Sequence, residues 1–558
     1  MDNQYPYRNP TNEQRKQLLL DSLTIAGRQD DYENIRKLLS PPPEITNFVA
    51  PKALSNVRIG IIGAGLSGLA AAYELRKLGA SITVFDAQKE RVGGRVYTHY
   101  FDRSGDYYGE LGAARIPVSH ETAWHYINLF GLNTEALTSP DANNFLYAHN
   151  IRIRREADGK NVTRYLYPFY DLSENERNTP WNQLRNFALS TMLYSLSPDE
   201  RTDILKIQPE YSQRYAAISR LSTRQIFEML ELSQGAIELI TAVEPFTEPF
   251  LNMSHDEIMN TEYSLDFLNT YRIAGGAMHL PMCFFDSLMS SDPKEIKFPT
   301  YFLGKVELKS RSKITGIYMA PENEGVFLRC SSEKKPDYLE QFDYVICAIP
   351  FSTLREVDIK PFFQNQKMQA IKEYHYMDGQ KSLFLCKKRF WEENRDYGRM
   401  NGGISVTDLP IQTILYPPDH INCNNPQDCS PDLPGVLTPS YNLGQDSIRQ
   451  TNQPEALRLQ MIKRNVEEVH GLPDGYLDSL VENQFTVIWS GDDWARGAFA
   501  AGYPGQKLRF LYPMAQPEFE QRVFFAGEHV STKQGWIQGA LYSGKDAANH
   551  LAEAAVTR

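Results

Sequence analysis

The chain has 558 residues, of which 42% are hydrophobic and 23% charged, and its formal net charge is −11 at pH 7. This length is sufficient for two or three globular domains, and the negative charge argues against a nucleic-acid partner. The sequence contains no run of 18 or more apolar residues, so we expect no membrane-spanning segment and no membrane partner.

The first 50 residues are expected to form an N-terminal helical arm. Helices are predicted over residues 12–26 and 31–39, and three consecutive prolines end the second one. The arm packs either on the body of the protein or on a second subunit, and the sequence leaves both open. The chain does not begin with a basic region followed by an apolar core, so we expect no secretory signal and a cytoplasmic location, although secretion stays open.

The stretch 57–98 carries the strongest pattern in the sequence. Residues 57–62 form a short apolar run that predicts a buried parallel strand. Residues 66–78 have apolar side chains at helical spacing, and residues 81–85 predict a second strand. This order of strand, helix and strand predicts a β-α-β unit.

Three glycines lie between the first strand and the helix of this unit. Gly63, Gly65 and Gly68 form a G-x-G-x-x-G turn, in which glycine permits a tight turn, a close approach to a pyrophosphate and close helix packing. The helix N-terminus offers unpaired N–H groups to the phosphates. Asp86 follows the second strand, where an acid accepts hydrogen bonds from ribose hydroxyls. The pattern predicts a dinucleotide site; the alternative is an ordinary turn between a strand and a helix.

The next segment indicates which dinucleotide binds. Arg91-x-Gly-Gly-Arg95 resembles the second fingerprint of FAD-binding amine oxidases. Its two glycines expose backbone amides, and Arg95 has the planar fork that suits a diphosphate. The resemblance implies FAD as the cofactor, whereas the alternative is a turn with two solvated arginines. Many relatives carry Glu where this chain has Asp86, and an Asp still bonds the ribose.

Residues 106–117, DYYGELGAARIP, resemble the segment of L-amino-acid oxidases that passes the flavin ring. In that family the arginine of this motif binds the α-carboxylate of the substrate, and the matching residue here is Arg115. A guanidinium fork suits a carboxylate and orients it. Oxidases of simple amines have no carboxylate to bind. The alternative is a structural Arg115 paired with Glu110.

Later motifs extend the resemblance toward the C-terminus. The position of Ile314 implies a backbone contact with the adenine. Lys381 matches a lysine that holds a water molecule against flavin N5, and Tyr441 matches a second carboxylate contact. Trp489 belongs to an aromatic stretch that borders the flavin. A solvated lysine and core aromatic side chains are the alternatives for these positions.

The last motif is V-F-F-A-G-E followed by G-W-I at the start of a helix. Glu528 is expected to bond the ribityl chain or to lie near the diphosphate. The helix N-terminus faces flavin N1 and O2, where negative charge gathers on reduction. The resemblance places the Gly535 carbonyl and the Trp536 ring at the substrate amine.

These motifs define the expected site. The expected catalytic residues are Lys381, Arg115, Tyr441 and Trp536, and the expected substrate contacts are Arg115, Tyr441, Gly535 and Trp536. The expected FAD contacts are Gly63, Gly65, Leu66, Ser67, Gly68, Asp86, Ala87, Arg95, Gly112, Ala113, Ala114, Arg115, Ile314, Trp489, Glu528, Gly535, Trp536, Ile537 and Ala540. We expect no metal site, because no cysteine or histidine spacing suggests one.

The resemblance implies an α/β fold with a Rossmann-like FAD-binding domain, a mixed-sheet substrate-binding domain and a helical domain. The expected ranges are 51–100, 271–355 and 505–558 for the first, 101–140 and 356–504 for the second, and 141–270 for the third. The helical domain would shape a funnel to the active site. Glu244 and Glu248 in that domain would favour cationic substrate side chains, or they belong to a solvated loop.

The motifs are most similar to those of the L-amino-acid oxidase family, in the branch of L-lysine α-oxidase and L-arginine oxidase. This implies oxidation of L-amino acids, basic ones or a broad range, to 2-oxo acid, ammonia and hydrogen peroxide. Hydride passes from Cα to flavin N5, dioxygen is the oxidant, and a homodimer or higher homo-oligomer is the family habit. The alternatives are a decarboxylating L-amino-acid 2-monooxygenase that gives an amide, an amine or polyamine oxidase, and a flavin-binding protein without turnover.

Six cysteines occur in the chain. Most of them lie in apolar or strand-like runs and are expected to be buried small residues. Cys423 and Cys429 flank a polar loop at a spacing that a disulfide would allow. We expect reduced cysteines, as is usual in a cytosolic protein.

Overall fold

A computed structural model describes residues 7–137, 141–332, 335–420, 427 and 429–558. A five-stranded parallel sheet lies at its centre, with the strand order Val306–Lys309, Ser81–Phe85, Arg58–Ile62, Tyr344–Cys347 and Val523–Phe525. These strands are short runs of apolar, mostly β-branched residues, as expected where a sheet is covered on both faces. The predicted β-α-β unit and the α/β architecture are confirmed.

Helices cover one face of the parallel sheet. Leu66–Arg76 and Ile537–Thr557 pack against each other, and His279–Met289 packs beside Leu66–Arg76. Every residue of Leu66–Arg76 is buried, because this helix lies between the sheet and its two neighbours. The helix therefore has no solvent face.

A second sheet covers the opposite face. Its four strands, in order, are Lys335–Phe342, Val326–Ser332, Ser312–Met319 and Asp358–Lys360. Phe342 of this sheet contacts Phe85 of the parallel sheet edge to face, with 5.8 Å between the ring centroids. A Cβ added to Gly60 would lie 3.0 Å from the side chains of Phe342 and Leu328, so glycine at this strand position permits close packing of the two sheets.

The third large element is a seven-stranded mixed sheet. Its strands, in order, are Val481–Ile488, Gly379–Cys386, Gly435–Leu443, Thr413–Tyr416, Gly403–Thr407, Phe145–Ala148 and Ile151–Arg154. The last two strands lie in the region that was predicted to be mostly helical. Each is only four residues long, which is too short to give a clear strand pattern in the sequence. Helix Glu455–His470 packs on this sheet. The division of the chain into domains remains a prediction.

The other strands form three small sheets. One combines Ile116–Pro117, Thr270–Ile273 and Thr134–Ala136, and two are pairs, Thr98–Tyr100 with Tyr108–Glu110 and Tyr376–Met377 with Phe499–Ala500. The helical region between the large sheets contains Glu174–Arg177, Trp181–Ser195, Pro198–Arg201, Gln213–Ser219, Thr223–Met229, Gln234–Val243, Thr247–Phe250 and His255–Tyr263. The remaining helices are Glu121–Leu129, Phe351–Leu354, Asn365–Glu373, Gly444–Thr451, Tyr476–Leu480 and Tyr512–Ala515.

The N-terminal segment packs on the body of the protein. Its helices are Asn12–Ile25 and Tyr32–Leu39, close to the predicted bounds. Arg28 donates to two main-chain carbonyl groups at the C-terminal end of helix His255–Tyr263, those of Glu262 at 2.7 Å and Tyr263 at 3.0 Å. Of the two placements that the sequence leaves open, the structure shows the one on the body.

Within the described ranges, no helix is long and apolar enough to cross a membrane. Cys429 forms a disulfide, whereas Cys423 lies outside the described residues. The free cysteines are Cys283, Cys330, Cys347 and Cys386. The expectation of reduced cysteines is therefore confirmed for these four and wrong for Cys429.

Candidate active site

The first glycine turn joins the central strand to helix Leu66–Arg76. Gly63 has φ +103°, which side-chain-bearing residues rarely adopt. A Cβ on Gly68 would lie 2.0 Å from the carbonyl oxygen of Gly63, whereas a Cβ on Gly65 would meet nothing within 4 Å. The space in front of the helix N-terminus is therefore open, and no side chain caps it. This arrangement fits a diphosphate.

The two glycines allow a matched test of this turn. We expect Gly68→Ala to lower the free energy of unfolding of the apoprotein by at least about 2 kcal/mol, because the methyl group overlaps a backbone oxygen. Gly65→Ala adds the same methyl group at φ −72° without a clash, so its apoprotein should lose at most about 1 kcal/mol. It should nevertheless weaken FAD binding at least tenfold. Urea unfolding and FAD titration of both apoproteins test this, and equal stabilities would contradict it.

Asp86 closes the same turn. Its Oδ2 accepts the N–H of Ala64 at 2.6 Å, and its Oδ1 accepts the N–H of Gln88 at 2.7 Å. Burial raises the pKa of Asp86, and the two N–H groups oppose this rise. The carboxylate therefore holds the glycine turn in place, and it also lines the groove beside the turn, where the sequence predicts the ribose.

A groove of about 240 Å³ extends from the glycine turn. Sixteen of the expected FAD contacts line it: Gly63, Gly65, Leu66, Ser67, Asp86, Ala87, Arg95, Gly112, Ala113, Ile314, Trp489, Glu528, Gly535, Trp536, Ile537 and Ala540. Gly68 lies outside the wall because it packs inward on Gly63, and Ala114 and Arg115 line the neighbouring cavity instead. The open phosphate cradle and this wall fit FAD.

Glu528 joins two parts of the groove. Its Oε1 pairs with Arg95 Nη1 at 2.7 Å, and its Oε2 accepts the N–H of Gly535 at 2.8 Å. The N–H of Ala500 also donates to Oε1, at 3.2 Å. Glu528 therefore connects the expected diphosphate residue Arg95 to the turn before Trp536.

A second cavity of about 720 Å³ adjoins the groove, and we call it the large cavity. The residues that line both spaces are Gly112, Ala113, Lys381, Tyr441, Phe499, Gly535 and Trp536. Arg115 lines the large cavity but not the groove. The structure thus brings four of the five expected catalytic and substrate residues to the region where groove and cavity meet, and it places Arg115 in the adjoining wall of the large cavity.

Arg115 has no acceptor in the described part of the chain. It forms no hydrogen bond and no ion pair there, and its guanidinium carbon lies 5.9 Å and 5.7 Å from the ring centroids of Phe246 and Phe267. Burial lowers the pKa of Arg115, and Tyr441 opposes this. Glu110, the alternative partner, instead accepts hydrogen bonds from Thr98 and Ala277. A desolvated guanidinium with free donors is suited to bind an anion.

Lys381 and Tyr441 are directly opposite each other on neighbouring antiparallel strands. The Lys381 Nζ lies 4.5 Å from the Tyr441 ring centroid and donates to the carbonyl of Gly112 at 2.9 Å. Burial and the nearby Arg115 lower the pKa of Lys381 to about 8, although Glu110 opposes them. Lys381 therefore exchanges its proton more readily near neutral pH than an ordinary lysine.

A buried polar network supports the aromatic wall. Trp536 packs against His120 and Phe267, at ring-centroid distances of 5.0 Å and 5.8 Å. Lys533 Nζ pairs with Asp266 Oδ2 at 2.7 Å, and Asp266 Oδ1 lies 3.1 Å from His120 Nε2. All three polar side chains are fully buried, and Asp266 directly precedes Phe267. The network therefore fixes both rings.

We expect Lys533→Met to reduce the free energy of unfolding by about 3–5 kcal/mol, because it leaves the buried Asp266 carboxylate without its cation. Lys160→Met is the matched control, since Lys160 pairs with Asp158 on the surface at 2.5 Å and such pairs contribute about 1 kcal/mol or less. Urea unfolding of both variants measures the difference. Similar losses in the two proteins would rule out a structural role for the network.

Several residues of the large cavity were not predicted. Phe246 and Phe267 belong to no motif, and only their place over Arg115 identifies them. Phe246 has φ +65°, a left-handed conformation that is unusual for a bulky residue. Glu244 lines the cavity but pairs with Arg185 at 2.8 Å and Arg155 at 3.6 Å. Its charge is thus compensated, which removes it as the proposed site for a substrate cation.

Glu248 is the other acid that the sequence suggests for this role. Its side chain is exposed and does not line the large cavity. The solvated alternative fits Glu248 better than a place in the funnel.

Comparisons with known proteins agree with this geometry. The family described as flavin containing amine oxidoreductase matches residues 66–552. An L-amino-acid oxidase of Vipera ammodytes ammodytes is 28% identical over 533 residues, which cover 94% of this chain and 97% of that protein. A putative L-amino-acid oxidase of Bacillus subtilis is 29% identical over 492 residues, covering 87% and 92%.

Solved structures show the same fold at lower sequence identity. Putrescine oxidase bound to putrescine has a TM-score of 0.66 and 17% identity, over 88% of this chain and 98% of that chain. Cyclohexylamine oxidase from Brevibacterium oxydans has a TM-score of 0.65 and 18% identity, over 89% and 99%. The family match spans most of the chain, and its cofactor fits the groove. The chain therefore belongs to the flavin containing amine oxidoreductase family and is a flavoprotein enzyme with FAD as its cofactor.

Proposed function

We propose that this flavoprotein oxidises L-α-amino acids. The observation that carries the proposal is the Arg115 guanidinium, which lines the large cavity beside Tyr441 and has no acceptor among the described residues. A substrate α-carboxylate would supply the missing anion. The names of the relatives from Vipera and Bacillus support the same substrate class.

An amine without a carboxylate is a poorer match to this cavity. Putrescine oxidase and cyclohexylamine oxidase share the fold, but a simple amine would leave the guanidinium of Arg115 desolvated and unpaired. Burying an unpaired charge is unfavourable. We therefore favour an amino acid over an amine as the substrate.

The residues around the meeting point of groove and cavity have separate roles in binding and orienting the substrate. Arg115 and the phenol of Tyr441 hold the carboxylate, while the Gly535 carbonyl and the Trp536 ring orient the neutral amine. FAD, when bound, supplies the acceptor for the hydride of Cα and the site at which dioxygen is reduced to hydrogen peroxide. Lys381, with a pKa of about 8, is suited to move a proton at Nζ near neutral pH.

The atoms of the overall reaction balance without a further co-reactant. The amino acid loses the hydrogen of Cα and one hydrogen of its amine and becomes the imino acid, while dioxygen gains two hydrogens and becomes hydrogen peroxide. Water then replaces the imine nitrogen, which gives the 2-oxo acid and ammonia. No protein group is consumed in these steps.

Product analysis tests the proposal. Purified holoenzyme incubated with an L-amino acid should release 2-oxo acid, ammonia and hydrogen peroxide in equal amounts. An amide and carbon dioxide without peroxide would show the decarboxylating monooxygenase instead. Protein that binds FAD but forms neither set of products with any amino acid would be a flavin-binding protein without turnover.

A further inference from the structure

The wall of the large cavity contains seven acidic side chains, and most of them are compensated. Glu110 has both oxygens hydrogen-bonded, and the carboxylates of Glu244, Asp256, Glu262 and Asp419 lie within 4 Å of a lysine or arginine. Glu156 is exposed at the cavity edge. Glu257 differs from these six acids. Among the described residues, one of its carboxylate oxygens has no hydrogen-bond donor, and no lysine or arginine forms an ion pair with it.

Glu257 lies in the first turn of helix His255–Tyr263. Its Oε1 accepts the N–H of Gly502 at 2.7 Å, and its Oε2 has no partner among the described residues. The neighbouring charges are already engaged: Lys507 Nζ pairs with Asp256 at 3.1 Å and donates to the carbonyl of Ile204 at 2.7 Å. Among the described residues, no lysine or arginine therefore pairs with Glu257.

The ionisation of Glu257 reflects this lack of a partner. Burial raises the pKa of Glu257 to about 8, Asp256 and Glu528 add to the rise, and the Gly502 N–H and Lys507 oppose it. An ammonium or guanidinium group beside the carboxyl would favour its charged form. The position of Glu257 thus has the electrostatics of an acid whose counter-ion comes from a ligand.

Glu257 lies near the meeting point of groove and cavity, because its partner Gly502 is close in sequence to Phe499, which lines both spaces. Gly502 follows Phe499 by three residues, so their Cα atoms are at most about 11 Å apart. The Phe499 ring packs on Gly535, where an added Cβ would lie 3.2 Å from Cδ2, and it stacks on Phe250 at 6.4 Å. Apolar walls of this kind suit the methylene stems of lysine and arginine, whose charged ends lie beyond them.

We propose that Glu257 binds the terminal ammonium or guanidinium group of a basic L-amino acid whose carboxylate is held by Arg115. This inference rests on the proposed function and deepens it by naming the substrate class. Arg115 is the fixed end of the substrate site, and Glu257 selects the other end by charge. A neutral side chain of the same length gains nothing from Glu257.

The test uses the holoenzyme with two substrate pairs that share a carbon chain. L-norleucine lacks the terminal ammonium group of L-lysine, and L-citrulline has a neutral urea group where L-arginine has its guanidinium. Glu257→Gln should lower kcat/KM for L-lysine and L-arginine at least about 30-fold, because a desolvated charge pair is lost. It should change the values for L-norleucine and L-citrulline less than about threefold. Glu257→Asp, which keeps the charge on a shorter stem, should give an intermediate loss for the two basic substrates.

Glu248→Gln is the matched control, since Glu248 is an exposed acid that does not line the large cavity, and it should leave all four values unchanged. FAD content and circular dichroism establish that each variant is folded. An equal effect of Glu257→Gln on charged and neutral substrates, or no effect, would overturn the proposal while leaving amino-acid oxidation intact. Silence of the wild type on these four amino acids would overturn this inference, and silence on every other L-amino acid as well would overturn the proposed function too.

Discussion

Arg115→Met is expected to lower kcat/KM for L-amino acids by about 30- to 4,000-fold, which corresponds to roughly 2–5 kcal/mol. The substrate carboxylate would enter a cavity without its cation, while the rings of Phe246 and Phe267 would still exclude water. Arg115→Lys should fall between wild type and Arg115→Met, because an ammonium offers a point charge and no planar fork.

The same substitution should not weaken the fold. Arg115 forms no hydrogen bond or ion pair with the described residues, so its removal takes away a desolvated charge rather than a hydrogen bond. The free energy of unfolding of Arg115→Met should equal or exceed that of wild type in urea. A variant that keeps its kcat/KM but loses stability would show that Arg115 is structural.

Glu528→Leu is expected to lower the free energy of unfolding of the apoprotein by about 3–5 kcal/mol, the usual cost of breaking a buried ion pair. Arg95 would keep its charge without its anion, and the N–H groups of Gly535 and Ala500 would lose their acceptor. Because the Gly535 turn leads into Trp536, KM for L-amino acids should rise as well.

Glu528→Gln is the appropriate comparison for this variant. Its amide keeps an acceptor for one N–H group but has no charge for Arg95, so it should lose less stability than Glu528→Leu. Urea unfolding of the apoproteins gives the stabilities, and steady-state kinetics of the reconstituted enzymes gives KM. A loss below about 1 kcal/mol in both variants would place the pair among ordinary surface ion pairs.

Local sequence patterns were sufficient for the parts of the fold that depend on local chemistry. The first glycine turn is one example, because strand, turn and helix follow one another within a few residues, and helix Leu66–Arg76 ends two residues before the predicted end. Strands Phe145–Ala148 and Ile151–Arg154 were missed because each has only four residues, which is too few for a clear alternating pattern.

The substrate site shows a similar division. Arg115, Tyr441 and Trp536 were predicted because each belongs to a motif that resembles a known family. Phe246 and Glu257 belong to no motif, and their roles follow from tertiary contacts with Arg115 and Gly502. No pattern along the chain could indicate that Glu244 is compensated by two arginines while Glu257 is not, since this depends on side-chain placement.

The central claim is that the enzyme recognises its substrate by the carboxylate at Arg115. The most direct measurement is the rate of hydrogen peroxide formation by wild-type holoenzyme with L-arginine, D-arginine and agmatine, which is arginine without its carboxylate. The account predicts peroxide with L-arginine and little or none with the other two. Equal rates with agmatine and L-arginine would contradict it and would make the protein an amine oxidase.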